Sequence, residues 1–252
     1  MEFLDQVVLV TGASRGIGRA VARAFSQKGA RVAVHYNRNK RAADETLNSL
    51  TGGPHMLIQA DVAEPDANRT MVKDIVSAMG RIDILVNNAG IYKEHPPKQV
   101  SFEEWRDSWR RIIDTNLMGP AHLSYCAARH MVAQGGGRII NITSRGAFRG
   151  EPEAPAYGAS KAGQNALSQS MAKALAPDKV FVYAVAPGWV DTDMAEEFLT
   201  GPQGDAIRRQ SPLGRVASPE EIATAVVLLA SKGTDFMTGC ILDVNGASYL
   251  RS

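Results

Sequence analysis

Seven short apolar segments alternate with amphipathic segments along the chain, and this alternation constrains its fold more than any other feature. Each apolar segment has the length of a strand and contains many β-branched residues, as is typical of strands buried on both faces. The predicted strands span 6–10, 31–36, 56–60, 82–87, 138–143, 180–186 and 240–244. Helical periodicity predicts helices over 16–28, 40–50, 66–79, 103–134, 156–176 and 219–231. The alternation predicts an α/β fold, with a doubly wound parallel sheet of about seven strands and helices on both faces.

The sequence offers no point at which to divide the chain into domains. Its 252 residues contain no linker, low-complexity tract or internal repeat, and 44% of them are hydrophobic, enough for one large core. We therefore predict a single domain over 1–252. Two long connections, 91–102 and 188–218, interrupt the alternation, and we interpret the second as a substrate lid.

Charge and composition argue against several classes of protein. The net charge is only +2, with acids and bases interspersed, which does not indicate a nucleic-acid partner. No leader or membrane-length apolar run is evident, and the two cysteines, Cys126 and Cys240, lie far apart. We expect a cytoplasmic protein without a membrane partner or a disulfide framework.

A glycine-rich segment, TGASRGIG (11–18), follows the first predicted strand and opens the first predicted helix. Glycine allows the backbone to approach a pyrophosphate closely, and a helix N-terminus offers unpaired N–H groups to it. A purely structural glycine turn is the alternative. The position between a strand and a helix favours a dinucleotide site.

The end of the second predicted strand distinguishes the two nicotinamide cofactors. A carboxylate there would bind the ribose 2′-hydroxyl, whereas arginine favours a 2′-phosphate. The segment reads His35-Tyr36-Asn37-Arg38, and Arg15 lies in the glycine loop. NADP(H) is the predicted cofactor, with NAD(H) as the alternative if the two arginines are only solvated surface residues.

A candidate acid–base group lies in the run AYGASKAG. Tyr157 and Lys161 are four residues apart, so they share a helix face, and Ser144 precedes Tyr157 by thirteen residues at the end of a predicted strand. Tyr36 and Lys40 repeat the spacing without the serine. Ser144 therefore distinguishes the first pair from a coincidence.

Taken in order, these residues resemble the classical short-chain dehydrogenase/reductase family over essentially the whole chain, which implies a Rossmann-type fold. The matches are the glycine loop, Asp61-Val62, Asn87-Asn88-Ala89-Gly90, Asn116, the Ser144–Tyr157–Lys161 triad, and Pro187-Gly188 with Thr192. The implied catalytic residues are Asn116, Ser144, Tyr157 and Lys161. The implied cofactor-binding residues are Thr11, Gly12, Ser14, Arg15, Gly16, Ile17, Gly18, Asn37, Arg38, Asp61, Val62, Asn88, Ala89, Gly90, Tyr157, Lys161, Pro187, Gly188, Val190 and Thr192.

The resemblance implies a role for each catalytic residue. Ser144 would bind the substrate oxygen, Tyr157 would protonate it as hydride arrives, Lys161 would hold the nicotinamide ribose, and Asn116 would support a proton relay through water. A free tyrosine has a pKa of about 10, and a charge at about 4 Å is worth roughly 4 kcal/mol at an effective dielectric of about 20. We therefore expect Lys161 to lower the pKa of Tyr157 towards neutrality.

The main functional hypothesis is an NADP(H)-dependent oxidoreductase acting on a small carbonyl or secondary-alcohol substrate. Among family members, those that reduce 3-oxoacyl groups on acyl carrier protein are most similar, although no basic docking patch for that protein can be located in the sequence. The alternatives are an NADP(H)-binding sensor without catalysis, and an NAD-dependent sugar, steroid or alcohol dehydrogenase. The resemblance also implies a homotetramer, with a dimer as the alternative.

Three further features of the sequence bear on the site. His122, Cys126 and His130 would span about 12 Å of one helix, too far to share a metal ion, so no metal site is predicted. Arg145 either reaches the substrate site and favours an anionic substrate or is a solvated loop residue. Tyr183 requires a hydrogen-bond partner if it is buried.

Overall fold

The computed structural model describes residues 1–251 and contains one seven-stranded parallel sheet. Its strands are β1 (Val7–Val10), β2 (Arg31–Tyr36), β3 (Met56–Gln59), β4 (Ile84–Asn87), β5 (Gly137–Ile142), β6 (Val180–Pro187) and β7 (Ile241–Val244). They are arranged in the order β3-β2-β1-β4-β5-β6-β7, and every neighbouring pair is parallel. This topology confirms the predicted doubly wound α/β fold.

Helices cover both faces of the sheet. They are α1 (Gly16–Gln27), α2 (Lys40–Asn48), α3 (Pro65–Met79), α4 (Phe102–Ile113), α5 (Gly119–Ala133), α6 (Gly146–Arg149), α7 (Pro155–Leu175), α8 (Asp193–Thr200), α9 (Gly204–Arg208) and α10 (Pro219–Ala230). Alternate residues of one strand serve opposite layers: Val8 and Val10 pack with α1 and α10, whereas Val7 and Leu9 pack with α3 and α5. Burial of apolar side chains on both faces, at roughly 25 cal/mol per Å², fixes the strand positions and therefore the sheet edge that carries the site.

The helix predicted over 103–134 is not one α-helix. A π-helical turn, Asp114–Met118, separates α4 from α5. Pro120, which has no N–H, lies in the first turn of α5, and a Cβ at Gly119 would lie 2.6 Å from the Val62 carbonyl oxygen. The prediction of an unbroken helix was wrong because close packing and a missing donor favour a bulge here.

The two long connections flank the carboxyl edge of the sheet. The segment 188–218 contains α8 and α9, and Val190 pairs with Ala217 in an isolated bridge. Residues 91–101, all of which the structure describes, form no regular helix or strand before α4. Within the described residues, no helix combines the length and apolarity that a membrane crossing requires.

Candidate active site

A cleft of about 840 Å³ opens at the carboxyl ends of the strands. This is where open parallel sheets bind ligands, because the strand ends and the following loops meet there. The cleft is lined by most of the predicted site residues: Gly12, Ser14, Arg15, Gly16, Ile17, Asn37, Arg38, Asp61, Val62, Asn88, Ala89, Gly90, Ser144, Tyr157, Lys161, Pro187, Gly188, Val190 and Thr192. Thr11, Gly18 and Asn116 lie behind its wall.

The glycine loop has the backbone geometry that a pyrophosphate needs. Gly12 and Gly16 have φ values of 62° and 51°, in the left-handed region that disfavours residues with a Cβ. A Cβ at Gly16 would also lie 3.1 Å from the Thr192 methyl group. No side chain caps the N-terminus of α1, so its first N–H groups can bind an anion. These features fit the diphosphate of a dinucleotide.

Thr11 and Asn88 fasten the glycine loop to the turn after β4. The Thr11 hydroxyl accepts hydrogen bonds from the amides of Asn88 and Ala89, each at 2.9 Å. The Asn88 side chain donates to the Thr11 carbonyl oxygen at 2.8 Å and to that of Gly12 at 3.2 Å. Two predicted cofactor residues thus also shape the cleft.

His35 also holds the glycine loop in place, although it was not predicted as a site residue. The Gly12 amide donates to His35 Nδ1 at 3.0 Å, so Nε2 carries the proton and donates to the Ala60 carbonyl oxygen at 3.1 Å. Burial lowers the pKa of His35 to about 4, which keeps the ring neutral. The sequence feature that could have indicated this role is a polar residue near the end of an otherwise apolar strand.

Asn37 and Arg38 are exposed and line the part of the cleft that follows β2. The Arg38 carbonyl oxygen accepts from the Lys40 amide at 3.1 Å, but its side chain has no hydrogen bond or ion pair among residues 1–251, which leaves the guanidinium available to a ligand. Arg15 instead forms an exposed ion pair with Asp193 of α8, at 3.3 Å. The Asp61 side chain accepts from the Ala63 amide at 3.0 Å.

Ser144, Tyr157 and Lys161 converge in the middle of the cleft. Ser144 lies two residues after the end of β5, and its hydroxyl accepts from the Gly146 amide at 3.0 Å. Helix α7 presents Tyr157 and Lys161 on one face, with the Lys161 ammonium 5.8 Å from the tyrosine ring centroid. The predicted triad is therefore assembled in space.

The pKa of Tyr157 departs in the opposite direction from the one predicted. Burial raises it to about 12, the Ser144 hydroxyl opposes the rise, and the carboxylate of Glu151 adds to it. The Lys161 ammonium is itself buried, which lowers its pKa to about 8. It donates to the Ile142 carbonyl oxygen at 2.8 Å and to the Gln164 side chain at 3.0 Å, rather than to the phenol. Loss of phenolate solvation is the largest effect on the Tyr157 pKa.

Asn116 lies in the π-helical turn, fully buried. Its side-chain oxygen accepts from the Ile91 amide and its nitrogen donates to the Ile91 carbonyl oxygen, both at 2.9 Å. The nitrogen also approaches the Ser160 hydroxyl at 3.3 Å. Asn116 thus connects the bulge to the strand-end turn that borders the cleft.

One side of the cleft is an aromatic wall made of Tyr92, Trp189 and Phe198, which was not predicted from the sequence. The Tyr92 ring meets Tyr157 edge to face at 5.2 Å and Phe198 at 5.7 Å, and Trp189 lies 5.5 Å from Phe198. Burial raises the pKa of Tyr92, so its phenol stays protonated. The wall joins the segment 91–102 to α8, a proximity that no local pattern in the sequence indicates.

Arg145 and Tyr183 are both buried. The Arg145 side chain is 3% exposed and lines the cleft, so its interpretation as a solvated loop residue was wrong. Tyr183 donates its hydroxyl hydrogen to the Thr234 carbonyl oxygen at 3.1 Å, which satisfies the predicted need for a partner.

Comparisons with known proteins agree with this geometry. Residues 12–247 match the family model described as enoyl-(acyl carrier protein) reductase. The chain is 38% identical to a 3-oxoacyl-(acyl-carrier-protein) reductase of Staphylococcus epidermidis, covering 98% of this chain and 100% of that one. It is 40% identical to the Haemophilus influenzae reductase of the same name, over 97% and 98% of the two chains. A Synechocystis reductase of that name is 38% identical over 97% of both.

Proposed function

This chain belongs to the short-chain dehydrogenase/reductase family, and we propose that it is an NADPH-dependent reductase that converts a carbonyl group to a secondary alcohol. Family membership makes it an oxidoreductase. The observation that carries the proposal is the position of the protonated Tyr157 phenol beside Ser144 and Lys161 in the cleft. A phenol in that state is ready to give a proton to a carbonyl oxygen.

Each catalytic side chain has a role that its surroundings support. Ser144 Oγ donates a hydrogen bond to the substrate oxygen and stabilises the negative charge that develops there. Tyr157 then transfers its phenolic proton to that oxygen. Lys161, held by Ile142 and Gln164, stabilises the resulting phenolate electrostatically. Asn116 positions the turn at Ile91, and its role in a water relay remains part of the proposal.

The cofactor supplies hydride when bound. The glycine loop and the N-terminus of α1 would hold its diphosphate, Asp61 and Val62 its adenine, and Lys161 its nicotinamide ribose. Pro187, Gly188, Val190 and Thr192 would border the nicotinamide. The unpartnered guanidinium of Arg38 supports recognition of a 2′-phosphate, because guanidinium binds phosphate in a bidentate manner.

The relatives' names make a 3-oxoacyl thioester the first substrate to test, with an acyl carrier protein as the associated partner. The family model's description instead suggests reduction of a carbon–carbon double bond. Ser144 and Tyr157 favour the carbonyl, because both can donate hydrogen bonds to an oxygen that gains charge in the reaction. A double bond offers no such oxygen at the reacting carbons.

NADPH consumption with acetoacetyl and crotonyl thioesters of N-acetylcysteamine tests the proposal. We expect turnover of the acetoacetyl compound and formation of 3-hydroxybutyryl thioester. Turnover of the crotonyl compound alone would contradict carbonyl reduction. Binding of NADPH without turnover of any carbonyl in a broad panel of diketones, sugars and steroids would favour the sensor.

We also expect a homotetramer. Exposed Ala159, Ala162 and Ala166 lie on one side of α7, where close approach of a second helix is sterically allowed. A second interface is supported by exposed apolar side chains in α10 and in the residues after it. These are Leu228, Phe236 and Leu250. Light scattering coupled to gel filtration would test this expectation, and a monomer would contradict it.

A further inference from the structure

Arg145 carries a buried positive charge next to the catalytic serine. Its side chain is 3% exposed, and its backbone amide donates to the Pro187 carbonyl oxygen at 2.9 Å, which fixes the residue beneath the segment 188–218. Removal of a guanidinium from water is costly unless hydrogen bonds and an opposite charge compensate it. The neighbourhood of Arg145 therefore ought to contain an anion.

Within residues 1–251, no carboxylate forms an ion pair with Arg145, although that of Glu151 lies near enough to act on its charge. The Nη2 group of Arg145 donates to the neutral side-chain oxygen of Gln210, and Nη1 is buried without a hydrogen-bond partner in residues 1–251. The carboxylate of Glu151, whose charge acts on Arg145, is ion-paired with Arg149 at 3.3 Å. Within the described chain, the Arg145 guanidinium therefore has one hydrogen bond, to the Gln210 side chain, and its Nη1 group has no acceptor.

Two other buried hydrogen-bond donors near Arg145 also lack an acceptor in residues 1–251. Trp189 Nε1 and Ser248 Oγ have no hydrogen-bond partner among the described residues. Together with Arg145, these two residues line a cavity of about 80 Å³, and Arg145 and Trp189 also line the cleft itself. The carboxylate-bearing residue of this cavity, Glu221, is already ion-paired with Arg215 at 2.8 Å. A liquid water occupies roughly 30 Å³, so a carboxylate-sized group can be accommodated. A guanidinium, an indole N–H and a hydroxyl together favour an acceptor with negative charge.

We propose that Arg145, Trp189 and Ser248 form a subsite for an anionic group of the substrate. The inference rests on the proposed reductase activity and specifies its substrate class: an oxo acid whose free carboxylate binds Arg145 while its keto oxygen faces Ser144 and Tyr157. NADPH supplies two electrons as hydride to the keto carbon, the carbon–oxygen π bond breaks, and Tyr157 supplies the proton to the oxygen. The product is a hydroxy acid, and solvent returns the proton to the phenolate.

A pair of similar probes, one anionic and one neutral, tests the subsite. We would compare kcat/KM for acetoacetate with that for its neutral methyl ester, in the wild type, Arg145→Gln and Arg149→Gln. Arg149 is the matched control because it lies only four residues away, at the end of α6, but is exposed and paired with Glu151. We expect Arg145→Gln to lower the acetoacetate-to-ester ratio about tenfold or more, through KM, as loss of a charge-assisted hydrogen bond implies. Arg149→Gln should change both probes equally.

An equal change for both probes in Arg145→Gln would overturn the inference while leaving the reductase proposal intact. Should neither probe be turned over, calorimetric titration with sodium acetoacetate separates the two proposals. Binding that weakens in Arg145→Gln supports the subsite even without catalysis. Chloride that stabilises the wild type but not Arg145→Gln, with no acetoacetate binding, would identify a free-anion site and overturn the substrate assignment. Arg145→Met, which removes the buried charge at similar volume, provides a second variant if Arg145→Gln does not fold.

Discussion

The ammonium nitrogen of Lys161 lies 5.8 Å from the centroid of the Tyr157 ring and is held there by the Ile142 carbonyl oxygen at 2.8 Å. Burial lowers the pKa of Lys161 to about 8 and raises that of Tyr157 to about 12. At neutral pH the pair therefore consists of a charged lysine and a protonated phenol. This is the protonation state from which carbonyl reduction starts.

The first prediction concerns the pH dependence of reduction. Lys161 is charged below its pKa of about 8 and loses its charge above it, so kcat/KM should fall as pH rises through that value. In Lys161→Arg the charge persists to higher pH, and the decline should move upwards or disappear. Rates with the acetoacetyl thioester from about pH 6 to about pH 10 would measure this. A decline at the same pH in both proteins would show that another group titrates.

The second prediction concerns Asn116. Asn116→Ala removes both hydrogen bonds to Ile91 and leaves the partly buried N–H and C=O groups of Ile91 unpaired, so the free energy of unfolding should fall by about 1–3 kcal/mol. The turn at Gly90 would loosen, and NADPH affinity should fall as well. Asn165→Ala is the control, because the side-chain N and O of Asn165 have no hydrogen-bond partner in residues 1–251. Equal destabilisation of the two variants in urea would argue against the positioning role of Asn116.

The third prediction concerns cofactor choice. Arg38→Ala should weaken NADPH binding about tenfold or more and leave NADH binding nearly unchanged, since only NADPH carries a 2′-phosphate. Arg41→Ala removes the same charge from α2, where the Arg41 side chain is 91% exposed and pairs with Glu45 at 3.7 Å. It should change neither affinity appreciably. The assignment of Arg38 fails if NADH binds the wild type more tightly, or if Arg38→Ala retains full NADPH affinity.

The fourth prediction concerns acid stability. The pKa of His35 is about 4 in the fold, below its ordinary value of 6.5, so the unfolded chain binds the proton more readily. The stabilisation from neutral His35 is present above pH 6.5 and is lost as pH falls towards 4, at a total of about 3 kcal/mol. His35→Asn keeps an acceptor for the Gly12 amide but does not titrate in this range.

Denaturant unfolding at pH values across that window would measure the effect. His55, whose pKa burial also lowers, contributes to both proteins, so the quantity of interest is the difference between wild type and His35→Asn at each pH. This difference should shrink on acidification. A constant difference across the window would contradict the account of His35.

Much of the fold and the triad could be predicted from the sequence because both depend on local patterns. Apolar strand periodicity places every strand of the sheet, and the spacing of Tyr157 and Lys161 on one helix brings them to one face. The bulge at Asn116 was missed because it depends on packing of Gly119 against Val62, which lies far away in sequence. The aromatic wall and the support of Gly12 by His35 were missed for the same reason.

The direction of the Tyr157 pKa could not be obtained from spacing alone. Spacing suggested a full Coulombic interaction with Lys161, whereas the structure directs the ammonium to Ile142 and Gln164 and buries the phenol. Desolvation depends on everything packed around the ring, including Tyr92. The burial of Arg145 against Gln210 could not be predicted either, because it depends on a contact between residues that are far apart in the sequence.

The most direct measurement is NADPH consumption by Tyr157→Phe with the acetoacetyl thioester, alongside NADPH binding by the same variant. Phenylalanine keeps the ring and its contact with Tyr92 but removes the proton donor. The account predicts that binding persists while kcat falls about 100-fold or more, the usual size of a general-acid contribution. Turnover at the wild-type rate in Tyr157→Phe would contradict it.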